Sequence, residues 1–198
     1  MKTKRFFDIV FSAAAIIVLL PLMGIVCAVI FFDDGCPVIF KQDRVGKGGK
    51  IFKVKKFRTM KNGTRTAAKK DLKEAADVIT RSGRFIRKTS IDELPQLFNI
   101  LEGNMSFVGP RPLIPQEKGI HELRLACGVY RVCPGMTGLA QISGRDMISH
   151  EEKVKFDKEY VENIGVLYDL KILAKTVKTV LKGENVVEGN QLKEEKKS

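Results

Sequence analysis

The chain has 198 residues, with 35 Lys and Arg against 23 Asp and Glu, and its formal net charge of +12 predicts anionic partners such as nucleic acid, a phospholipid surface or phosphorylated small molecules. Its length suits one compact domain with a short appendage, and 44% hydrophobic with 29% charged residues exclude a disordered segment and a polytopic membrane protein. Four cysteines without a CxxC pair and two histidines argue against a zinc site or a disulfide framework and fit a reducing compartment.

An apolar run, Ile9–Phe32, carries no charge. As a straight helix it would be about 36 Å long, enough to cross the roughly 30 Å hydrocarbon core of a bilayer. The run is too long for a signal peptide, and no small-residue cleavage site follows it. Because it is apolar on every face, the core helix of a soluble protein is disfavoured. We therefore predict a membrane segment over residues 1–35.

Pro21, near the middle of this run, predicts a kink because proline removes a helical hydrogen bond. Basic residues flank the run on both sides, in residues 2–5 and in residues 41–70. Since basic flanks prefer the cytoplasm, a re-entrant helix that enters and leaves at one face is favoured. A straight single span is the alternative.

Residues 36–190 predict an α+β fold, a compact helix-rich domain with a short β-hairpin, followed by a disordered tail over residues 191–198. The predicted elements are hairpin strands Val38–Phe40 and Ile51–Val54, a loop or exposed helix over 61–76, helices Ser82–Arg87, Ser90–Leu101 and Gln116–Leu125, a rigid loop Gly109–Pro112, a turn Pro134–Gly138, a strand Leu139–Ile142, a helix from Ser149 or His150 to about Asn163, and a last helix with Asp169 as its cap.

The last helix is amphipathic. Its apolar positions are Leu170, Leu173, Val177, Val180 and Leu181, and lysines occupy its other faces. Such a helix either lies on an anionic membrane surface or packs on the domain with a solvated lysine face.

Two adjacent acids, Asp92 and Glu93, form the most informative motif. Ser90 and Glu93 fit a capping box, so the pair could serve only to cap a helix. Against this, Pro95 breaks the local helix pattern, and five cations surround the pair in sequence: Arg81, Arg84, Arg87, Lys88 and Arg111. Carboxylates bind Mg²⁺ together with substrate phosphates, and arginines bind phosphate oxygens. Catalysis and capping therefore remain open at this point.

Other motifs are weak by themselves. The basic run Lys55–Arg58 reads as a solvated strand edge, and Gly138, Gln141, Gly144 and Arg145 could form a backbone nest for an anion. Neither a GxxxxGK[ST] loop nor a GxGxxG loop after a strand is present, which disfavours nucleotide-loop folds.

Taken in order, the motifs over residues 3–182 resemble the small monotopic phosphoglycosyl transferases, a family of bacterial sugar transferases. They are the basic N-terminus with its apolar segment around Pro21, residues 38–46 (VIFKQDRVG), 56–60 (KFRTM), 90–99 (SIDELPQLFN), 105–112 (MSFVGPRP) and 134–145 (PGMTGLAQISGR). One departure is Leu20, where family members often carry Ser before the proline of the membrane helix.

The resemblance implies transfer of sugar 1-phosphate from a UDP-sugar to a polyprenyl (undecaprenyl) phosphate with release of UMP. Asp92 matches the nucleophile that forms a covalent phosphosugar intermediate, and Glu93 matches its partner in Mg²⁺ binding. Candidate substrate-binding or site-organising residues are Arg58, Arg87, Pro110, Arg111, Gln141, Arg145 and Asp169.

The resemblance also implies a re-entrant helix over residues 1–35 and a cytosolic catalytic domain over residues 36–190, with amphipathic helices on the phospholipid surface. The protein would lie at the cytoplasmic face of the bacterial inner membrane. Two other functions are weighed against this one. A membrane-tethered nucleic-acid-binding protein would leave the acidic pair without a role, so we expect no nucleic-acid partner. In a non-catalytic membrane scaffold, Asp92 and Glu93 would only cap.

Overall fold

The computed structural model describes residues 2–64, 78–144 and 148–181. The described chain mixes helices with small sheets, in agreement with the predicted α+β class, and it has two two-stranded sheets where one hairpin was predicted. Its elements are α1 Lys2–Asp34, β1 Ile39–Val45, β2 Ile51–Phe57, α2 Arg81–Lys88, α3 Gln96–Glu102, β3 Ser106–Val108, α4 Lys118–Ala126, β4 Gly135–Thr137, α5 Leu139–Ile142, α6 His150–Glu162 and α7 Val166–Leu181. Arg145 and the tail 191–198, together with most of the predicted loop 61–76, lie outside the described residues.

The chain divides into two compact units, which we name after one residue in each. The Asp92 unit comprises Ile9–Asp43 and Lys53–Glu102, and the Arg111 unit comprises Met1–Asp8, Arg44–Phe52 and Gly103–Ser198.

The N-terminal helix α1 is long and apolar enough to cross a membrane by length and composition, with a mean hydropathy of 3.0 in its most apolar window. The helical backbone continues through Pro21. Many of its apolar side chains are exposed, including Val18 at 75% and Phe32 at 84%, which is unlike the core helix of a soluble protein. The helix is compatible with membrane association, and the re-entrant bend at Pro21 stays a prediction.

The core of the Asp92 unit joins α1 to the hairpin and to α2. Met23, Val26 and Ile30 from one face of α1 pack with Phe57 of β2 and Ile86 of α2. The hairpin and the short helix α2 were both predicted, and both are confirmed.

The predicted helix Ser90–Leu101 is wrong in its first half. Ile91–Glu93 form a single 3₁₀ turn, and α3 begins only at Gln96, directly after Pro95. Proline has no backbone N–H to donate and fits the start of a helix better than its interior, so the helical hydrogen bonds begin beyond it. The predicted capping box is also wrong, because Ser90 has a left-handed backbone (φ 56) and its side chain caps nothing.

The Arg111 unit is built on a parallel pair of short strands, β3 and β4, with Ser106 opposite Gly135 and Val108 opposite Thr137. The predicted turn 134–138 therefore contains a strand, and the predicted strand Leu139–Ile142 is instead helix α5. The strand was missed because parallel pairing depends on a distant segment and leaves no local pattern.

Three glycines allow the backbone to approach itself closely beside this sheet. A Cβ on Gly135 would lie 2.1 Å from Gly109 N, and one on Gly138 would lie 2.2 Å from Gly109 O. A Cβ on Gly109 would lie 2.5 Å from Cys133 O. Only glycine fits at these contacts, which explains the glycines of both motifs.

Helices α4 and α6 agree with prediction, and Ser149 and Glu152 form a reciprocal capping box at the start of α6. The last helix differs in its cap, since α7 begins at Val166 and Asp169 lies inside the first turn. On α7 the buried positions include Asp169 and Ile172, whereas Leu170 and Val177, both predicted as part of one apolar face, are more than half exposed.

Candidate active site

The acidic pair lies on the Asp92 turn, which we define as Ser90–Pro95. Ser90 is the one non-glycine residue with a positive φ in the described part of the chain. Holding a non-glycine residue in this region costs about 1–2 kcal/mol. Asp92 and Glu93 follow on the 3₁₀ turn, both half-buried. Because the Ser90 side chain makes no capping hydrogen bond, the capping box that would have explained the two acids is not formed.

Two cations from other elements face this pair. Lys56, at the end of β2, places Nζ 2.6 Å from Glu93 Oε1, and each of the two side chains is 27% exposed. Arg87 of α2 donates from Nε to Thr59 Oγ1 at 2.7 Å. Both cations influence the ionisation of Asp92. The site therefore combines two carboxylates, an ammonium and a guanidinium within one unit.

Burial raises the pKa of the Asp92 carboxyl from 3.8 to about 6. The positive charges of Lys56 and Arg87 oppose this rise, and the negative charge of Glu93 adds to it. A carboxylate in this environment is more basic than an ordinary one, yet it is largely ionised at neutral pH. Those are suitable properties for a nucleophile that attacks phosphorus.

The two acids fit a magnesium ion that is completed by a substrate. The described residues contain no cluster of three or more His, Cys, Asp or Glu side chains that would hold a metal alone. Mg²⁺ is commonly bound by one or two carboxylates together with substrate phosphates and waters. The donor set of Asp92 and Glu93 matches that mode and does not match a closed structural site.

Arg58 lies in the same unit and anchors the end of α1. Its guanidinium is 7% exposed, and Nη2 donates to Asp34 O at 2.7 Å and to Gly35 O at 2.8 Å. The same nitrogen lies 3.1 Å from Asp34 Oδ2. These contacts satisfy carbonyls at the C-terminus of a helix, where a cation is favourable. Its predicted contact with substrate stays a prediction.

The Arg111 loop, which we define as Gly109–Leu113, belongs to the other unit. Four consecutive carbonyls, from Pro110 to Leu113, each accept a hydrogen bond. The donors are, in order, Gly135 N at 2.9 Å, Arg124 Nη1 at 2.8 Å, Arg44 Nη1 at 3.2 Å and Val45 N at 2.9 Å. None of the described residues forms a hydrogen bond or ion pair with the side chain of Arg111. The loop thus fixes its backbone and leaves the guanidinium available.

The second of these donors belongs to a buried ion pair. Arg124 Nη2 lies 2.6 Å from Asp157 Oδ2, with both side chains at most 3% exposed. Burial raises the pKa of Asp157 against the opposing charge of Arg124. Because one end of the guanidinium binds Asp157 and the other binds Arg111 O, the pair ties α6 to the loop through α4.

Asp169 and Gln141 are bonded within the Arg111 unit. Asp169 is buried and pairs through Oδ2 with Lys4 Nζ at 2.5 Å, and Oδ1 lies 2.8 Å from the Tyr160 hydroxyl, whose pKa is raised by burial and by this carboxylate. Gln141 donates from Nε2 to Met136 O at 2.9 Å. Their predicted contacts with substrate stay predictions.

The structure brings Asp92, Glu93 and Arg87 together in one unit, as the motif suggested. It places Pro110, Arg111, Gln141 and Asp169 in the other unit, and Arg145 lies outside the described residues.

Two features were missed by the sequence reasoning, Lys56 and the Arg124–Asp157 pair. Lys56 was read as a solvated edge, although strand alternation puts Lys55 and Lys56 on opposite faces. Asp157 has a signal in the sequence, because it lies between Val154 and Tyr160 on the apolar stripe of α6, where an acid requires a buried partner.

A family model described as bacterial sugar transferase matches residues 1–183. Over 196 residues, the chain is 41% identical to the uncharacterized sugar transferase EpsL of Bacillus subtilis strain 168, covering 99% of this chain and 96% of that protein. It is 43% identical to an undecaprenyl-phosphate galactose phosphotransferase of Salmonella typhimurium, covering 90% of this chain and 40% of the relative. It is 38% identical to an undecaprenyl-phosphate glucose phosphotransferase of Komagataeibacter xylinus, covering 93% of this chain and 37% of the relative. The chain therefore spans about two fifths of the length of these last two relatives.

Proposed function

The chain belongs to the bacterial sugar transferase family, and we propose that it transfers sugar 1-phosphate from a UDP-sugar to a polyprenyl phosphate and releases UMP. Membership confirms the resemblance found in the sequence, and with it the prediction that the chain is an enzyme of the polyprenyl-phosphate phosphosugar transferase class. The acceptor part of the proposal is supported by relatives whose names specify undecaprenyl phosphate. These two relatives extend well beyond the matched region, so the sugars in their names are not assigned to this chain.

The observation that carries the proposal is the Asp92 turn. An aspartate with a pKa raised to about 6 lies half-buried beside Glu93, Lys56 and Arg87, and Ser90 does not cap the turn. Two carboxylates whose charge is balanced by two cations suit a phosphate that arrives with Mg²⁺. The scaffold alternative relied on a capping box between Ser90 and Glu93, and the Ser90 side chain makes no capping hydrogen bond.

The proposed reaction has two transfers. In the first, Asp92 Oδ attacks the phosphorus that carries the sugar, the bond from that phosphorus to the bridging oxygen breaks, and the electron pair leaves with UMP. In the second, an oxygen of the lipid phosphate attacks the same phosphorus, and the bond to Asp92 breaks and restores the carboxylate. Because Asp92 is largely ionised at neutral pH, the first transfer needs no base.

The other residues bind and orient. Glu93 would hold Mg²⁺ with Asp92, and the ion, when bound, supplies positive charge that offsets the diphosphate. Arg87, positioned by Thr59, would neutralise phosphate oxygens as charge develops on them. Arg111, which has a fixed backbone, would contribute a second guanidinium to substrate, and this assignment rests on the family motif.

The membrane part of the proposal is a monotopic protein at the cytoplasmic face of the bacterial inner membrane. Helix α7 supports it, because Leu167, Leu170, Ala174 and Val177 form an exposed apolar stripe along one face. The lysines that flank the stripe are Lys171, Lys175 and Lys178. Such a face suits the surface of an anionic phospholipid membrane, where a lipid-bound acceptor and a soluble donor can both arrive.

The activity is tested with purified protein in detergent, Mg²⁺, polyprenyl phosphate and a panel of UDP-sugars, with UMP as the readout. We expect release that requires one donor, the lipid and the metal. Asp92→Asn should lower release by at least about a thousandfold while the protein stays folded. Full activity of this variant would refute the nucleophile.

Topology is tested by cysteine labelling in a background without the native cysteines. Lys2→Cys and Phe40→Cys should react from the cytoplasmic side alone if α1 is re-entrant. Labelling from opposite sides would support a straight span.

A further inference from the structure

A cleft of about 370 Å³ lies in the Asp92 unit at the C-terminal end of α1, and we name it the α1-end cleft. The polar residues that line it come from the end of α1, the segment after β2 and the start of α2: Asp33, Asp34, Lys61, Thr80, Arg81 and Arg84. We propose that this cleft binds the phosphate of an anionic glycerophospholipid at the membrane surface. None of the lining residues has a role in the proposed reaction, so the inference goes beyond that function and does not depend on it.

The two acids of the cleft are held by the protein itself. Asp33 Oδ2 accepts hydrogen bonds from Ser82 N at 2.9 Å and from Ser82 Oγ at 2.6 Å, at the start of α2. Asp34 Oδ2 accepts a hydrogen bond from Asn62 N at 2.7 Å and lies 3.1 Å from Arg58 Nη2. The carboxylates therefore fix the walls of the cleft, and Asp33 already occupies the positive end of the α2 dipole.

The cations of the cleft are not paired in this way. No residue in the described ranges forms a hydrogen bond or ion pair with the side chains of Lys61, Arg81 or Arg84. Beside Asp34, the Arg58 guanidinium is buried, and its Nε and Nη1 have no hydrogen-bond partner among the described residues. Four cations thus accompany two carboxylates, and the two positive charges in excess suit a phosphate group.

Helix α2 presents two of these cations on its outer face. Arg81 and Arg84 are three residues apart, so their side chains are neighbours on the helix, and both are exposed. Phe85, next to Arg84, is exposed as well, whereas Gly83 and Ile86 are buried. Guanidinium groups match the geometry of phosphate oxygens, and the outer face of α2 places an aromatic ring beside them.

The position of the cleft indicates a lipid as the source of the phosphate. Helix α1 is long and apolar enough to cross a membrane, and Asp33 and Asp34 are its last residues. Phe31 and Phe32, directly before them, are exposed, as is Phe85 on α2. An apolar surface that ends at a group of cations matches the boundary between the acyl chains and the headgroups of an anionic membrane. A free phosphate would contact the cations alone, whereas a phospholipid would also cover the aromatic rings.

The excess positive charge also selects among headgroups. In phosphatidylcholine the phosphate carries its own ammonium group, which the cations of the cleft would repel. In phosphatidylglycerol the phosphate has no such partner, and its charge is available to the protein. We therefore expect the cleft to prefer phosphatidylglycerol.

Lipid binding by the full-length protein in a neutral detergent tests this preference, with native mass spectrometry as the measurement. Wild-type protein is titrated with dioleoyl phosphatidylglycerol and, separately, with dioleoyl phosphatidylcholine. We expect phosphatidylglycerol to bind with at least about tenfold higher affinity, because its phosphate forms charge-assisted hydrogen bonds without a competing cation. Equal affinities for the two lipids would overturn the proposal.

Variants of the cleft are compared with a matched control in the same unit. Arg84→Gln and Lys61→Gln each remove one positive charge from the cleft, whereas Lys41→Gln removes one from an exposed position of β1. We expect each cleft variant to weaken phosphatidylglycerol binding about tenfold, and Lys41→Gln to leave it unchanged. Arg84→Lys, which keeps the charge, should retain most of the affinity. Equal losses in the cleft and control variants would indicate a general attraction of the basic protein for anionic lipid, and would overturn the site.

Inorganic phosphate distinguishes the lipid from a soluble ligand of the same chemistry. The complex of wild-type protein with phosphatidylglycerol is incubated with millimolar inorganic phosphate before the measurement. We expect the lipid to stay bound, because inorganic phosphate has no acyl chains to cover the exposed aromatic rings. Displacement of the lipid would identify the cleft as a site for a soluble phosphate and overturn the lipid assignment.

Discussion

The Asp92 turn and the Arg111 loop present charged side chains in opposite ways. In the Arg111 loop the backbone is held at four consecutive carbonyls, and its guanidinium has no partner among the described residues. In the Asp92 turn the backbone is strained at Ser90, and the side chains balance one another's charge. The Arg111 loop is therefore held in place by hydrogen bonds to its backbone. The Asp92 turn instead depends on charge pairing between side chains. Substitutions in the two segments should therefore have different effects on the free energy of unfolding and on activity.

The largest stability effect is expected at the buried anchor of the Arg111 loop. Arg124→Ala removes the donor to Arg111 O and leaves the Asp157 charge buried without its partner. Breaking such a pair costs about 3–5 kcal/mol. Thermal or denaturant unfolding in detergent should show this loss, with Arg44→Ala, which removes the donor to Pro112 O from a half-buried side chain, as the comparison at about 1 kcal/mol. Equal costs for the two variants would contradict the anchoring role of the pair.

The side chain of the same loop should behave differently. Arg111→Ala removes a guanidinium without a protein partner among the described residues, so we expect a change in unfolding free energy of less than about 0.5 kcal/mol. The proposed contact with substrate predicts a loss of about a hundredfold in UMP release. Lys118→Ala, at an exposed position of the same unit, should change neither quantity. A stable variant with full activity would remove Arg111 from the site.

In the Asp92 turn, the proposed nucleophile Asp92 should be a destabilising residue. The pKa of Asp92 is about 6 in the folded protein and 3.8 for the free carboxyl, so the unfolded state releases its proton at lower pH. Folding stability is therefore lost as pH rises from about 4 to 6, and the full penalty is present at pH 7.

Asp92→Asn removes this penalty. With a chelator present, we expect the variant to be more stable than wild type by about 1–2 kcal/mol at pH 7, after allowance for partial exposure, and equal to it below pH 4. Unfolding curves across pH test this. A less stable variant at pH 7 would support a capping role for Asp92.

The smallest effect is expected at Ser90. Ser90→Gly relieves the left-handed backbone, and because glycine adopts this conformation freely, we expect a gain of about 0.5–1 kcal/mol. A helix cap would instead lose stability on Ser90→Ala, by about 1 kcal/mol. The pair of variants, measured by thermal unfolding, distinguishes strain from capping.

Local patterns predicted many of the elements but fewer of the contacts. The hairpin, α2 and α4 followed from glycine turns and helical spacing, and α6 followed from its capping residue Ser149. The same kind of pattern failed at Ser90, where a correct capping box in the sequence is overridden by the strained turn before Pro95. It failed again at Gly135–Thr137, since the partner of that strand lies at Ser106–Val108.

The candidate site was likewise predictable in its local motif but not in its long-range contacts. Asp92 and Glu93 stood out because adjacent acids followed by a proline break a local rule, whereas nothing near Lys56 in sequence indicates that its partner is Glu93.

The sequence by itself determined the apolar helix α1, the charge balance and the family, because each depends on residue types and short spacings. The tertiary structure decided which lysine meets the acidic pair and which arginine becomes the buried anchor of the Arg111 loop. Those choices depend on contacts between residues far apart in the chain, where burial sets the strength of each charge.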